Sequence, residues 1–291
     1  MNCTNHVGPL DGAARLRPDG WLARPLTRNR IQAEAQARLL LQRYHPQSAG
    51  PVRCLTARYR TAAFALGAPA QRLLKRHADQ AAYLSEVLAY QLLDSEGVLP
   101  ALLSSSDTSL SLVTEYVEER MDLGRPAVFE ELVATVAAIH TAPARWHPAI
   151  QETMADWTVA AALDAPAPPW ISVPHPWELL LKVVADAHGP DHVPVGHLDL
   201  KADHGRRHPD GHPVVIDVET LRPDLTGQPD LITLAHLARV EGGRLSPRSV
   251  RHLYRRCTSM FGAQWTDAAL VRALTAFAEA TGLRCLHGVE R

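Results

Sequence analysis

The chain has 291 residues, 46% hydrophobic and 21% charged, which suits one large globular domain or two lobes. Its formal net charge of -1 excludes a global basic field for nucleic acid. The four cysteines (Cys3, Cys54, Cys257, Cys285) form no C-x-x-C pair, which argues against a disulfide scaffold or a cysteine-based zinc site. No apolar run reaches signal-peptide or membrane-span length, so a cytoplasmic protein without a membrane partner is expected. Of the thirty cationic residues only three are lysine: Lys75, Lys182 and Lys201. Where arginine supplies the surface charge, a lysine draws notice.

Residues 28–44 read as an amphipathic helix that ends before Pro46. The runs PVRCLTARY and AQRLLKRH, within 51–78, read as strands. A helix follows at 79–93, with Asp79 as N-cap and Gly97 just past its end. PALLSSS and LSLVTEYV read as two strands around an Asp107-Thr108 turn. After Gly124-Arg125-Pro126, the segment AVFEELVATVAAIHTAP is a helix stopped at Pro143. Residues 143–176 hold seven prolines and three tryptophans and predict an irregular insertion with short helices. PWELLLKVVADAH is another helix, and residues 193–220 predict a loop and hairpin. The rest reads as helices near 229–240, 246–260 and 265–282. The pattern predicts an α+β chain, with a strand-rich lobe over 1–119 and a mainly helical lobe over 120–291. A ligand cleft between the two is the natural expectation.

The densest polar chemistry is His197-Leu198-Asp199-Leu200-Lys201, followed by Val214-Val215-Ile216-Asp217-Val218-Glu219. Asp199 and Asp217 lie eighteen residues apart, and Asp210-Gly211 between them is a tight-turn dipeptide. Such a turn folds the second run back beside the first. Two carboxylates and a lysine in one cavity suit phosphoryl transfer: one orients the attacking hydroxyl, one holds the metal on the phosphates, and a cation offsets charge. A carboxylate pair also suits glycoside hydrolysis; the lysine favours phosphate.

His197-Leu198-Asp199 with Ile216-Asp217-Val218-Glu219 resembles the H-G-D…I-D-x-E signature of the aminoglycoside phosphotransferase and choline kinase-like family. Leu73-Leu74-Lys75 resembles that fold's phosphate-binding strand lysine, and Glu86, eleven residues on, its ion-pair partner. Leu112–Val117 resembles the hinge strand that holds adenine, and Ala138–Pro143 the helix end written L-H-x-x-P. The resemblance covers about 70–240. It implies a two-lobed protein kinase-like fold and an ATP- and Mg2+-dependent phosphotransferase. Asp199 would be the base, with Lys201 near the γ-phosphate. Asp217 would hold the metal, with Glu219 assisting. Lys75 would hold the α- and β-phosphates, fixed by Glu86. Glu115, Tyr116 and Val117 would meet adenine. His197 is expected to brace the loop, and His140 to pack at a helix end.

Three positions depart from the family pattern. His204 stands where an asparagine is the second metal ligand, although magnesium prefers oxygen. Leu198 replaces a glycine. Thr61–Gly67 (TAAFALG), before Lys75, is not a glycine-rich phosphate loop. The acceptor is expected to be a hydroxyl of a small molecule, antibiotic-like or an amino alcohol. The alternatives are a Ser/Thr kinase acting on a biosynthetic peptide, or a kinase-like binding subunit with weakened catalysis. His204, His208 and His212 recur every four residues, but Pro209, Gly211 and Pro213 rule out a helix. A solvated hairpin tip without zinc or iron is expected there. A metal-dependent hydrolase is the competing reading, with His204 its first member. Arg248, Arg251, Arg255 and Arg256 predict a solvated helix face, or else a docking surface for an anionic substrate or partner peptide.

Overall fold

The computed structural model describes residues 25–222, 226–241 and 245–283. These divide into two compact units, one holding 25–91 and 99–118 and the other 92–98 and the described residues from 119 onward. Cys3 and Cys285 lie outside the described residues; Cys54 and Cys257 are buried free thiols.

In the first unit, Asn29 caps α1 (Arg30–Tyr44), its side chain accepting from the Gln32 N–H. Ala33, Ala37, Leu40 and Leu41 make one buried stripe at helical spacing. That stripe packs with Cys54, Phe64, Leu66, Leu74 and Val113 of the sheet. Burying each such Leu or Phe stabilises the unit by about 1.5–3 kcal/mol. The strands are β1 (Val52–Ala57), β2 (Thr61–Gly67), β3 (Ala70–His77), β4 (Leu102–Ser106) and β5 (Ser111–Glu115). They form one antiparallel sheet in the order β1-β2-β3-β5-β4. Helix α2 (Gln80–Leu93) follows β3, and Asp79 Oδ1 accepts from the Ala82 N–H at its start.

Two strands were expected in 51–78, and the structure has three. TAAFALG, treated above only as a failed phosphate loop, is β2. Alanine is a poor strand former, so propensity hides it; its alternating buried Ala62, Phe64 and Leu66 reveal it. The connection before it is the exposed turn Arg58-Tyr59-Arg60.

The second unit is helical. Its main elements are α3 (Pro126–Thr141), α4 (Pro148–Thr153), α5 (Val159–Asp164), α6 (Pro174–His188), α7 (Gln228–Val240), α8 (Pro247–Ser259) and α9 (Asp267–Thr281). Helix α3 packs against α8, and α6 against α9. Between α6 and α7 lies one hairpin, β6 (Gly205–Arg207) paired antiparallel with β7 (Pro213–Val215). No described helix is long and apolar enough to cross a membrane.

A histidine pair is sealed beside α6. His188 and His192 stack with ring centroids 4.1 Å apart, and Trp265 Nε1 donates to His188 Nε2 at 3.0 Å. Burial lowers the His188 pKa to about 4, and burial holds His192 well below the usual imidazole range. Both groups therefore bind protons more readily in the unfolded chain. Their contribution to stability is full above the unfolded value of about 6.5 and is lost as pH falls toward about 4. Melting temperature is expected to drop between pH 7 and pH 5, and the drop to be shallower in His192→Gln. Calorimetry at the two pH values checks this.

Candidate active site

In the first unit, β3 and α2 bring Lys75 and Glu86 together. Lys75 Nζ lies 3.0 Å from Glu86 Oε2, with side chains 9% and 2% exposed. Lys75 sits in register with Ala63 on β2 and Leu112 on β5, so it comes from the middle of the sheet. His77 Nε2 donates to the same Glu86 oxygen at 2.7 Å. Burial alone would raise the Glu86 carboxyl, but the Lys75 ammonium and the His77 hydrogen bond outweigh it and hold it below the ordinary range. His77 was not singled out from the sequence. Its signal was the strand period, which puts residues 75 and 77 on one face.

The hinge residues close β5. The Glu115 N–H bonds to Ala101 O at 3.0 Å and the Tyr116 N–H to Gln71 O at 3.0 Å. Glu115 Oε2 accepts from the Ala101 N–H. The amides of Glu115 and Tyr116 are thus spent within the sheet, and Val117 follows them, buried.

In the second unit, the loop before β6 presents Asp199. Its anchor is Asp230, in the first turn of α7 and fully buried. Asp230 Oδ2 accepts from the His197 N–H at 2.7 Å, and Oδ1 from the Leu198 N–H at 2.8 Å. His140, on the last turn of α3, donates from Nε2 to Oδ2 at 2.9 Å. Its Nδ1 is then placed to accept from the Tyr254 hydroxyl on α8 at 2.9 Å. Burial pushes the Asp230 carboxyl up, yet the hydrogen bond and charge of His140 together with the loop amides bring it below the usual value. Space is tight here. A Cβ on Gly227 would lie 2.3 Å from the His140 ring, and one on Gly196 would lie 2.9 Å from Asp230 Oδ2.

This anchoring holds Leu198 at φ +65, the left-handed region that favours glycine. His197 completes the brace: its Nε2 donates to Ile216 O at 2.9 Å, and its carbonyl accepts from the Thr220 hydroxyl at 2.7 Å. Asp199 then stands half-exposed, and Lys201 Nζ reaches its Oδ2 at 2.6 Å. The Lys201 pKa is raised, first by that hydrogen bond and then by the charges of Asp199, Asp217 and Asp203.

The hairpin supplies Asp217. Its two strands put Ile216 N–H on His204 O at 3.1 Å, so residue 217 leaves β7 beside 204. Asp217 sits at φ +66 with its side chain 37% exposed. His204 Nε2 lies 3.6 Å from Asp217 Oδ2 and 4.0 Å from Asp203 Oδ1. Burial lowers the His204 pKa to about 4, so its imidazole is neutral near pH 7. Glu219 falls in the following turn, half-buried. Asp199, Asp203, His204 and Asp217 are thus gathered around Lys201.

The arginine face reads differently in three dimensions. Arg251 is buried and pairs with Asp267 at 2.8 Å. Arg256 pairs with Glu130 at 3.0 Å, and Arg255 donates to Trp265 O at 2.9 Å. Arg248 and Arg256 are exposed, as a solvated face requires, whereas the buried Arg251 departs from that expectation and fastens α8 to α9.

No protein-family model and no curated protein matches the sequence. Solved structures do resemble its fold. An ethanolamine kinase from Plasmodium vivax aligns over 86% of this chain and 79% of its own, at 9% identity and a TM-score of 0.54. A macrolide 2′-phosphotransferase from Brachybacterium faecium aligns over 86% and 91%, at 14% identity and a TM-score of 0.52. A choline/ethanolamine kinase family protein from Mesorhizobium loti aligns over 84% and 81%, at 17% identity and a TM-score of 0.51. The chain has the α+β, protein kinase-like fold that these phosphotransferases share.

Removing the anchor leaves two loop amides and His140 buried without their acceptor. Asp230→Ala is expected to cost about 3–5 kcal/mol in urea unfolding. By contrast, Leu198→Gly is expected to cost less than about 1 kcal/mol, because relief of the left-handed backbone offsets the lost side chain.

Proposed function

We propose that the chain is a phosphotransferase that moves the γ-phosphate of ATP to a hydroxyl group of a small molecule. The observation that carries this reading is the half-exposed Asp199–Lys201 pair, set on a rigidly anchored loop beside Asp217. Asp199 orients the acceptor hydroxyl and takes its proton as the oxygen attacks phosphorus. Lys201 stands against the charge that collects on the transferred group. Lys75, fixed by Glu86 and His77, is assigned to the α- and β-phosphates. Adenine is assigned to the backbone around Val117, because the two preceding amides are already used.

The oxygen donors here fit a hard divalent cation. Asp217 is assigned as its ligand. Magnesium, when bound, screens the phosphate oxygens. The neutral His204 imidazole adds little for magnesium, which takes oxygen ligands.

Asp199→Asn is expected to lower turnover by at least about 1,000-fold, in line with loss of a base that also positions the nucleophile, without changing the melting temperature. Transfer of phosphate from ATP to aminoglycosides, macrolides, amino alcohols and short Ser/Thr peptides, with ADP as the other product, is the assay. Near-normal turnover in Asp199→Asn would remove the base assignment. Asp217→Ala is expected to lose the magnesium-dependent part of ATP binding, read by titration calorimetry with and without the cation.

A second reading is favoured by His204 and by the glycine-free Arg58-Tyr59-Arg60 turn: a kinase-like binding subunit with weakened turnover. Nucleotide would then raise the melting temperature while no acceptor consumed ATP. Phosphorylated product from any acceptor excludes it.

A further inference from the structure

The histidine tract after β6 does not serve the chemistry above. As a helix its four-residue spacing would have had meaning, and the prolines rule a helix out. The observed hairpin gives the spacing a different meaning. His208 and His212 flank the tight turn, with the His208 N–H on His212 O at 2.9 Å and the Gly211 N–H on His208 O at 2.8 Å. Gly211 takes φ +96, which closes the turn. Two residues facing each other across such a turn present their side chains on one face. Their rings stack, with centroids 4.5 Å apart.

Asp210, inside the turn, completes the set. Its Oδ1 accepts from the His212 N–H at 3.1 Å, which fixes the carboxylate. His208 Nδ1 lies 3.0 Å from that oxygen, and His212 Nδ1 also contacts it. The three ligand atoms all lie within 4.8 Å of one another. A first-row ion held at about 2.0–2.2 Å by nitrogen and oxygen places neighbouring ligand atoms about 3–3.5 Å apart. The side chains are 22% (His208), 61% (Asp210) and 42% (His212) exposed, so water can reach the remaining coordination positions.

The adjacent cation is already committed. Arg207 donates to Gly211 O at 2.6 Å and pairs with Glu131. The tip is also separate from Asp217. Three residue pairs lie between them, about 10 Å of strand at roughly 3.4 Å per residue. His204, the first candidate from sequence, stays at the base beside Asp217.

We propose that the tip of the β6–β7 hairpin binds one divalent transition-metal ion of the zinc class, through His208 Nδ1, His212 Nδ1 and Asp210 Oδ1. Two imidazoles and one carboxylate suit zinc, cobalt, nickel or copper, and are poor for magnesium. The ion ties together the two arms whose base holds His204 and Asp217. No phosphate transfer is required of it, so the site stands or falls independently of the activity proposed above.

Cobalt(II) is the probe. Untagged, metal-stripped full chain is titrated with Co2+ while its visible spectrum is recorded. Ligand-field bands that saturate at one equivalent are expected, displaced by Zn2+ and unaffected by excess Mg2+. The double variant His208→Ala/His212→Ala is expected to lose them. Asp210→Asn, which keeps the turn's hydrogen-bond acceptor, is expected to weaken binding at least tenfold. Asp217→Ala should bind Co2+ as the natural chain does. Far-UV circular dichroism checks that each variant is folded, and Asp210→Asn alone decides the matter if the double variant is not. Absence of bands at millimolar Co2+ overturns the proposal. So does binding that survives in the double variant, that is unchanged in Asp210→Asn, or that disappears in Asp217→Ala.

Discussion

One buried carboxylate carries the loop that presents Asp199. Asp230 takes two backbone N–H groups from residues 197 and 198 and a ring N–H from His140, in a place with no exposed surface. A lone carboxylate buried so deeply would be far too costly to keep ionised. Three donors make it tolerable, and the same three donors fix everything attached to them. The loop cannot shift without leaving a buried charge behind. The strained φ of Leu198 follows from this, since both amides must point down at one side chain. So does the need for glycine at 227, where any Cβ would strike the His140 ring. Helices α3, α7 and α8 meet at this point through His140, Asp230 and Tyr254. Their packing is thereby converted into the position of a half-exposed carboxylate two residues further along the chain.

What the sequence made legible was local. Lys75 and Glu86 were readable because a strand and the helix after it lie close in sequence, and the lysine was rare. The hairpin was readable from Asp210-Gly211 and the Val-Val-Ile run. Asp230 was not readable. An aspartate in the first turn of a helix is ordinary N-terminal chemistry, and nothing nearby shows that it faces inward toward residues more than thirty positions away. His140 was read as a packed histidine, which is true but incomplete, because its partners lie 90 and 114 residues on. Arg251 on α8 was hidden for a related reason. Charge on one helix suggests solvent, which holds for Arg248 and Arg256, until Asp267 of α9 is seen opposite Arg251. Strand β2 was hidden by its alanines, whose weak propensity is overridden by neighbours on both sides.

Leu198 and His204 have physical consequences of different size. A leucine in a left-handed backbone costs about 1–2 kcal/mol, and the Asp230 hydrogen bonds are strong enough to impose it. His204 has the larger effect. It puts a neutral ring beside Asp217, and burial keeps that ring from gaining a proton. Around Lys201 the oxygen-bearing side chains are Asp199, Asp203 and Asp217, with a neutral imidazole between the last two.

The hairpin is the element on which these threads converge. It is only three residue pairs long, too short to be stable alone. Its stability has to come from its ends. At the base, His197 Nε2 on Ile216 O and the Ile216 N–H on His204 O stitch it to the Asp199 loop. Along one edge, the Met121 N–H on Gly205 O and the Arg207 N–H on Glu119 O extend its pairing. At the tip, Arg207 ties Gly211 O to Glu131 of α3, and the turn residues add their own contacts. A carboxylate shared by two imidazoles is such a contact, and a metal ion in place of their protons would strengthen it further. Asp217, held at positive φ on a short strand's exit, depends on that strand staying in register.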